Sequence, residues 1–258
     1  MRILVCGRHG QVALALQDAL SGLGDVQRVG RDGLDLAHPE QLRATLRQIA
    51  PALIINAAAY TAVDQAESET RQAYTINAEA PRVLAEEAAR LGAPLIHYST
   101  DYVFDGSKSA PYDEDDTPSP LSVYGRSKLA GELAIIAVAG EHLILRTSWV
   151  YSLHGRNFLL TMQRLLQQRA QLNVVDDQVG APTWATTIAA RQRHRQLHQG
   201  GAAHSGQADL RRRQPAAWAH PPGHVGHRHG RPARWGYRWP VTRRCAPPRS
   251  RPGATGSR

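Results

Sequence analysis

Tyr124 and Lys128 stand four residues apart in the stretch YGRSKLAGE, residues 124–132, within a run of helical character. Positions i and i+4 share one helix face, so phenol and ammonium project together. A free phenol ionises near ~10 and exchanges its proton poorly at neutral pH. A cation beside it favours the phenolate and lowers that value. A phenol tuned in this way can give a proton to an oxygen that is gaining charge. Such pairs also arise by chance on solvated helices, so the spacing alone leaves both readings open.

Other residues bear on the choice. HYSTDYVFDG places Ser99, Thr100 and Asp101 at the end of the preceding strand signal. A hydroxyl there can hydrogen-bond the oxygen that Tyr124 would protonate, although an ordinary turn or helix cap uses the same residues. Near the N-terminus, GRHGQVA follows a short apolar run and opens a helical one. Gly7 would permit the tight turn there, and Gly10 would let backbone approach a pyrophosphate on the helix N-terminus. Ala13 fills the third small position of that motif. The second strand signal closes on Gly30 and Arg31 rather than on an acid. An acid would grip the ribose hydroxyls of NAD, whereas a cation suits the 2′-phosphate of NADP. Arg31 therefore favours NADPH and leaves NADH open, and a solvated loop arginine reads equally well. Asp35 and Leu36 follow closely enough to border the adenine, and the alanines of NAAAYTAVD (56–64) allow backbone to lie flat against a ligand.

The elements that must hold these residues alternate. Strand signals fall at 2–7, 25–30, 52–60, 94–100, 142–151 and the strand-like LNVVD; helical signals fall at 11–24, 38–50, 76–92, 124–139 and 157–170. Pro81 marks an early turn or kink in the third helix. Continuous apolar strands separated by helices predict a parallel sheet covered on both faces, in a doubly wound, Rossmann-like α/β fold. Ligands in such folds bind beyond the carboxyl ends of the strands, where the residues above cluster.

Bulk properties narrow the class. The 258 residues contain no apolar run long enough to span a bilayer, and MRILVCG reads as a first strand rather than a signal peptide. Two cysteines, Cys6 and Cys245, make no disulfide framework, and a cytoplasmic protein is expected. The net charge of +9 is unevenly distributed. Residues 1–190 hold 16 Lys+Arg against 21 Asp+Glu, or −5; residues 191–258 hold 15 Arg against the single acid Asp209, or +14.

The glycine turn, NAAAYTAVDQAES, HYSTDYVFDG, VYGRSKLAGE and LRTSWVY together resemble the extended short-chain dehydrogenase/reductases, most closely the dTDP-4-dehydrorhamnose reductase group, over about residues 1–190. NFLLTMQRLL and VVDDQVGAPT extend the likeness. The resemblance implies hydride transfer from NAD(P)H to C4 of dTDP-4-dehydro-L-rhamnose, giving dTDP-L-rhamnose for cell-surface polysaccharide such as lipopolysaccharide. It assigns Tyr124 as proton donor, Lys128 as the group that lowers the Tyr124 pKa and binds ribose, and Thr100 as the residue orienting the carbonyl. Asp101 and Trp149 match positions touching the sugar nucleotide; Gly10, Gln11, Val12, Asp35, Leu36, Ala59, Tyr60 and Thr61 match cofactor contacts. Relatives that bridge a dimer through Mg²⁺ carry carboxylates where this chain reads ALAL (13–16) and WATT (184–187), which argues against a metal and leaves a metal-free homodimer open. Other nucleotide-sugar epimerases or dehydratases, and non-catalytic NADP-binding regulatory subunits, share the scaffold.

Beyond residue 190 the pattern stops. Residues 191–258 contain eight Pro and seven His and no Ile, Phe, Lys or Glu. That composition lacks the apolar mass for a core and predicts a disordered basic tail. An arginine arm for nucleic acid, with Trp218, Trp235, Tyr237 and Trp239 to stack on bases, is one reading. A shifted reading frame in a GC-rich gene is the other and the better match, and nucleic acid would then bind without specificity at most. Domain organisation is expected as 1–190, a nucleotide-binding domain with part of a smaller, incomplete sugar-nucleotide region, and 191–258, the tail. Loss of the family's C-terminal material would leave cofactor binding intact and cripple substrate binding.

Overall fold

In a computed structural model the structure describes residues 1–169, 171–174, 178, 180–190 and the backbone of 241–242. The other residues of the tail, and the expectation of disorder placed on them, lie outside the described residues.

Five parallel strands form the sheet: β1 (Arg2–Cys6), β2 (Asp25–Val29), β3 (Leu53–Asn56), β4 (Leu95–Thr100) and β5 (His142–Thr147), in the order β2-β1-β3-β4-β5. Helices α1 (Gln11–Ala19), α2 (Pro39–Ile49), α3 (Val63–Ala66), α4 (Thr70–Tyr74), α5 (Ala80–Leu91) and α6 (Val123–Val138) connect them. Alternate residues of one strand enter different cores: Leu4 and Cys6 pack in one with Ile54, Leu42 and Leu84, while Ile3 and Val5 pack in the other with Leu16, Ile55 and Ile96. Both faces of the central strands are thus buried, and this is why β1, β3 and the start of β4 read as apolar runs, whereas the edge strand β2 does not. The chain leaves β1 toward β2 and returns to lay β3 on the other side, so order reverses between β1 and β3. A crevice opens at such a switch point.

Several boundaries differ from the sequence expectation. α1 stops at Ala19 rather than at residue 24, and β3 ends at Asn56, after which 57–62 is irregular. The expected strand at 142–151 breaks at Ser148–Trp149 and resumes as β6 (Val150–Tyr151), which pairs with β7 (Thr183–Trp184) in a separate two-stranded sheet. Trp149 takes a left-handed φ of 43°, which no strand accommodates. LNVVD forms no strand over its described residues 172–174. The helix expected at 76–92 begins one residue earlier, as a π-helical segment, Thr75–Glu79, and Pro81 then sits in the first turn of α5. Proline has no N–H to give the carbonyl four residues back, and the wider turn precedes it. A helix over 185–190 returns Ile188 and Ala189 to the core. α7 (Phe158–Gln168) is amphipathic as expected, yet buries none of its residues; Phe158, Leu159 and Leu166 are exposed. Within the segment expected to be structureless, β8 (Val241–Thr242) pairs antiparallel with Ile144 and Leu145 of β5.

Candidate active site

Tyr124 lies in the first turn of α6, whose start is fixed from two sides. The Ser122 hydroxyl accepts from Gly125 N at 3.0 Å, and a Glu67 carboxylate oxygen accepts from Val123 N at 2.7 Å. Two glycines of YGRSKLAGE let neighbouring backbone come close. A Cβ on Gly125 would lie 2.2 Å from the Tyr102 carbonyl, and one on Gly131 would lie 2.0 Å from the Asn77 carbonyl. The π-helical segment therefore seats against α6. Asn77 uses that position to pin the NAAAYT loop: it accepts from Tyr60 N at 2.9 Å, donates to Tyr60 O at 3.0 Å and donates to Ser127 Oγ at 3.0 Å.

Tyr124, Lys128 and Glu132 fall on one face of α6, and β4 runs beneath it. Two strand residues advance about 6.6 Å and four helical residues about 6 Å, so His97 and Ser99 come opposite Lys128 and Glu132. Lys128 is 2% exposed; its Nζ donates to Tyr98 O at 2.7 Å and lies 3.2 Å from His97 Nε2. Ser99 donates to Glu132, and Arg146 of β5 forks onto the same carboxylate at 3.1, 3.2 and 2.7 Å. Ser99 thus faces the buried ion pair, and the expectation that it could share a substrate oxygen with Tyr124 is corrected: its hydroxyl is committed to Glu132. Thr100, the next strand residue, points to the other face. Its Oγ1 donates to Asp101 Oδ1 and accepts from Tyr102 N, both at 3.2 Å. The Thr100 hydroxyl lies near enough to the Tyr124 phenol to favour its ionised form.

The electrostatics differ from the sequence expectation. Burial pushes the Tyr124 phenol up to about 12, with the Asp101 carboxylate adding to the rise and Thr100 opposing it. Lys128 does not lower it here, because the amine is turned onto the Tyr98 carbonyl and His97. Burial brings Lys128 itself down to about 8, and Glu132 opposes that fall. Asp101 is raised, chiefly by burial, against hydrogen bonds that include one from Ser148 Oγ at 2.7 Å.

At the crevice, Gly7 has φ +115°, and a Cβ there would sit 3.4 Å from the Ala57 carbonyl. Gly10 caps α1 with no side-chain bond, and no acid occupies the first turn. A Cβ on Gly10 would meet nothing in the chain closer than 4.0 Å, so its smallness leaves space facing uncapped N–H groups. Gln11 is committed within the chain: Oε1 accepts from Asn157 at 2.8 Å and Ser152 at 3.1 Å, and Nε2 donates to Val150 O at 3.2 Å. Val12 packs on the core that holds Ile3 and Val5, and Leu36 is 5% exposed within the other core, so that side chain offers a ligand little surface. Asp35 accepts from Ala37 N at 2.9 Å, Arg31 is exposed, and Arg8 pairs with Asp32 at 2.9 Å. Ala59 and Tyr60 are half-buried and Thr61 exposed at the end of β3; Tyr60 donates to Glu69 at 2.8 Å. A shallow hollow lined by Ala37, Ser68, Glu69, Arg71, Gln72 and Thr75 lies beside these residues rather than over Tyr124. Trp149 is 43% exposed and lies against Gly180, where a Cβ would touch the indole at 2.7 Å. The sequence reading missed Asn77, His97, Glu132 and Arg146; their polarity inside apolar or helical runs was the available signal.

A family model described as the RmlD substrate binding domain matches residues 1–205. The chain is 49% identical over 194 residues to a dTDP-4-dehydrorhamnose reductase of Burkholderia thailandensis, covering 75% of this chain and 65% of that one. It is 50% identical over 189 residues to one of Sinorhizobium fredii, covering 73% and 64%. The chain thus spans just under two thirds of the length of these relatives. Among solved structures, a dTDP-4-dehydrorhamnose reductase of Bacillus anthracis in complex with NADP superposes with a TM-score of 0.73 at 38% identity, covering 76% of this chain and 70% of that one. One of Clostridium acetobutylicum gives 0.73 at 37%, covering 78% and 71%. With the doubly wound sheet and the match over residues 1–205, this chain belongs to the RmlD substrate binding domain family.

Proposed function

We propose that the chain is an NADPH-dependent reductase of a dTDP-4-keto sugar, taking dTDP-4-dehydro-L-rhamnose to dTDP-L-rhamnose. What supports this is the placement of Thr100 at the end of β4 and of Tyr124 and Lys128 on the facing helix α6, on the same rim of the sheet as the glycine turn. The cofactor fits the residues present: the space at Gly10 faces free N–H groups at a helix start without an acid, which suits a pyrophosphate. Gly7, Gly10 and Val12 would line the diphosphate, Arg31 the 2′-phosphate, and Asp35, Leu36, Ala59, Tyr60 and Thr61 the adenine side, with Gln11 contributing main chain. NADPH, when bound, supplies the hydride. Thr100 orients the carbonyl, and Tyr124 gives its proton to the oxygen as charge develops there. A phenol at about 12 is protonated in the free chain, and efficient donation requires the cofactor-bound site to bring that value back toward neutral. Lys128 holds ribose, and Asp101 and Trp149 contact the sugar nucleotide. Residues 1–190 would form the nucleotide-binding unit with part of the sugar site. The solved relative with NADP and the reductases named above support this reading.

A second reading, nucleotide binding without turnover, is favoured by the exposed apolar side chains of Trp149, Leu153, Phe158, Leu159 and Leu166. One experiment separates the two. NADPH binding is measured by fluorescence, then NADPH consumption with dTDP-4-dehydro-L-rhamnose, for the chain and Tyr124→Phe. The first reading expects binding by both and a loss of turnover of about 10²-fold or more in the variant. Undiminished turnover in Tyr124→Phe would remove the assigned role, and absence of NADPH binding would remove both readings.

A further inference from the structure

Beneath Lys128 lies a chain of hydrogen bonds whose direction is set by a backbone group. Ala58 N–H can only donate, and it reaches Asn56 Oδ1 at 3.2 Å. The amide nitrogen of Asn56 therefore faces His97 Nδ1, at 3.0 Å. An amide NH₂ donates, so Nδ1 must accept and the imidazole proton sits on Nε2. Nε2 lies 3.2 Å from Lys128 Nζ. Asn56 and His97 are each 1% exposed and Lys128 2%, which leaves water little access to relax a mismatch.

An ammonium has three donors and no acceptor, so it would meet the Nε2 proton donor to donor. A neutral amine resolves this. Its lone pair accepts from His97, and one N–H goes to Tyr98 O at 2.7 Å. Rotating Asn56 by a half turn only moves the conflict to Ala58 N–H. We propose that Asn56 and His97 hold Lys128 as an uncharged amine in the cofactor-free chain, with His97 as the Nε2–H tautomer. Both are positioning residues that act through Lys128, and the inference rests on the reading in which Lys128 belongs to the cofactor site. The ionisable groups around the amine are His97 from β4, Tyr124 and Glu132 on its own helix, and Arg146 from β5 neutralising Glu132. Glu132 pulls toward the ammonium, while burial and the His97 contact pull away from it.

The chain contains only two lysines, Lys108 and Lys128, so lysine labelled with ¹³C at Cε gives two signals. Imidazole ¹⁵N shifts separately report the tautomer of His97 in the full 258-residue chain without nucleotide. The expected result is Nε2–H at neutral pH and a Lys128 titration midpoint below about 7, further down than burial alone takes it and ~3 units or more under the ordinary lysine value. An Nδ1–H tautomer, an imidazolium, or a Lys128 midpoint above about 7 would overturn the proposal. Asn56→Asp, of the same shape, accepts from both Ala58 and His97. It should reverse the tautomer to Nδ1–H and raise the Lys128 midpoint by ~1 unit or more; an unchanged tautomer counts against the proposal. The unsubstituted spectrum decides the case if the variant fails to fold. No turnover is read, so failure here leaves NADPH binding and the Tyr124→Phe comparison standing as separate tests.

Discussion

Replacing Glu132 with glutamine keeps the shape of the side chain and removes its charge. Glu132 is 1% exposed and receives three hydrogen bonds from Arg146 as well as the Ser99 hydroxyl. Arg146 is 7% exposed, its Nη1 has no partner among the described residues, and its guanidinium lies 5.0 Å from the Phe104 ring centroid. The variant leaves this guanidinium buried without a counter-charge, and breaking a buried pair from one side costs about 3–5 kcal/mol. At about 2–4 °C per kcal/mol for a unit of this size, the melting midpoint should fall by roughly 6–20 °C. Urea unfolding followed by circular dichroism measures the free energy directly. The double variant Glu132→Leu with Arg146→Met removes both charges and should recover most of the loss, since the penalty arises from the unpaired charge rather than from missing attraction. A single variant that loses under about 1 kcal/mol, or a double variant no more stable than the single, would refute this account of how α6 is locked to β4 and β5.

Gly131→Ala forces the Asn77 carbonyl, 2.0 Å from the new Cβ, to move. A net loss of about 1–3 kcal/mol is expected in urea unfolding, despite the ~1 kcal/mol that alanine adds to helix propensity. Gly10→Val meets no chain atom nearer than 4.0 Å at its Cβ, so the melting temperature should hold while NADPH affinity falls at least about tenfold; equal affinity would place the diphosphate elsewhere. Hydrogen bonds from Arg47 and Arg90 hold the Glu87 carboxyl down at about 2, against the opposing effect of burial. A lowered folded value means stability that is present above the unfolded value near 4.5 and lost as pH falls toward 2. Glu87 is covered largely by arginines that are themselves half exposed, so screening reduces the effect to about 1–2 kcal/mol. Glu87→Gln should flatten that part of the stability–pH curve, and an unchanged slope would exclude the arginine cluster as its source.

The order of elements and the doubly wound class were legible in the sequence because both rest on local pattern. β1 and β3 carry the unbroken apolar runs Ile3–Cys6 and Leu53–Ile55, and Pro39 opens a helix wherever that helix packs. Thr100, Tyr124 and Lys128 were equally legible as candidates, since spacing on a helix and position at a strand end are one-dimensional facts. The break at Trp149 was not, because a left-handed residue in an apolar run is held by what surrounds it, here Gly180 beneath the indole. Nor could the sequence show what Lys128 faces. His97 lies 31 residues before it and Asn56 a further 41 before that, and only the pairing of β3 with β4 beneath α6 brings them into line. The direction of the Tyr124 shift was misjudged for the same reason: i and i+4 places an ammonium near a phenol along the helix, but burial and the carbonyl of Tyr98 decide where the amine turns and which proton is held. Residue types fixed which groups could ionise; the packing of three elements fixed which of them do.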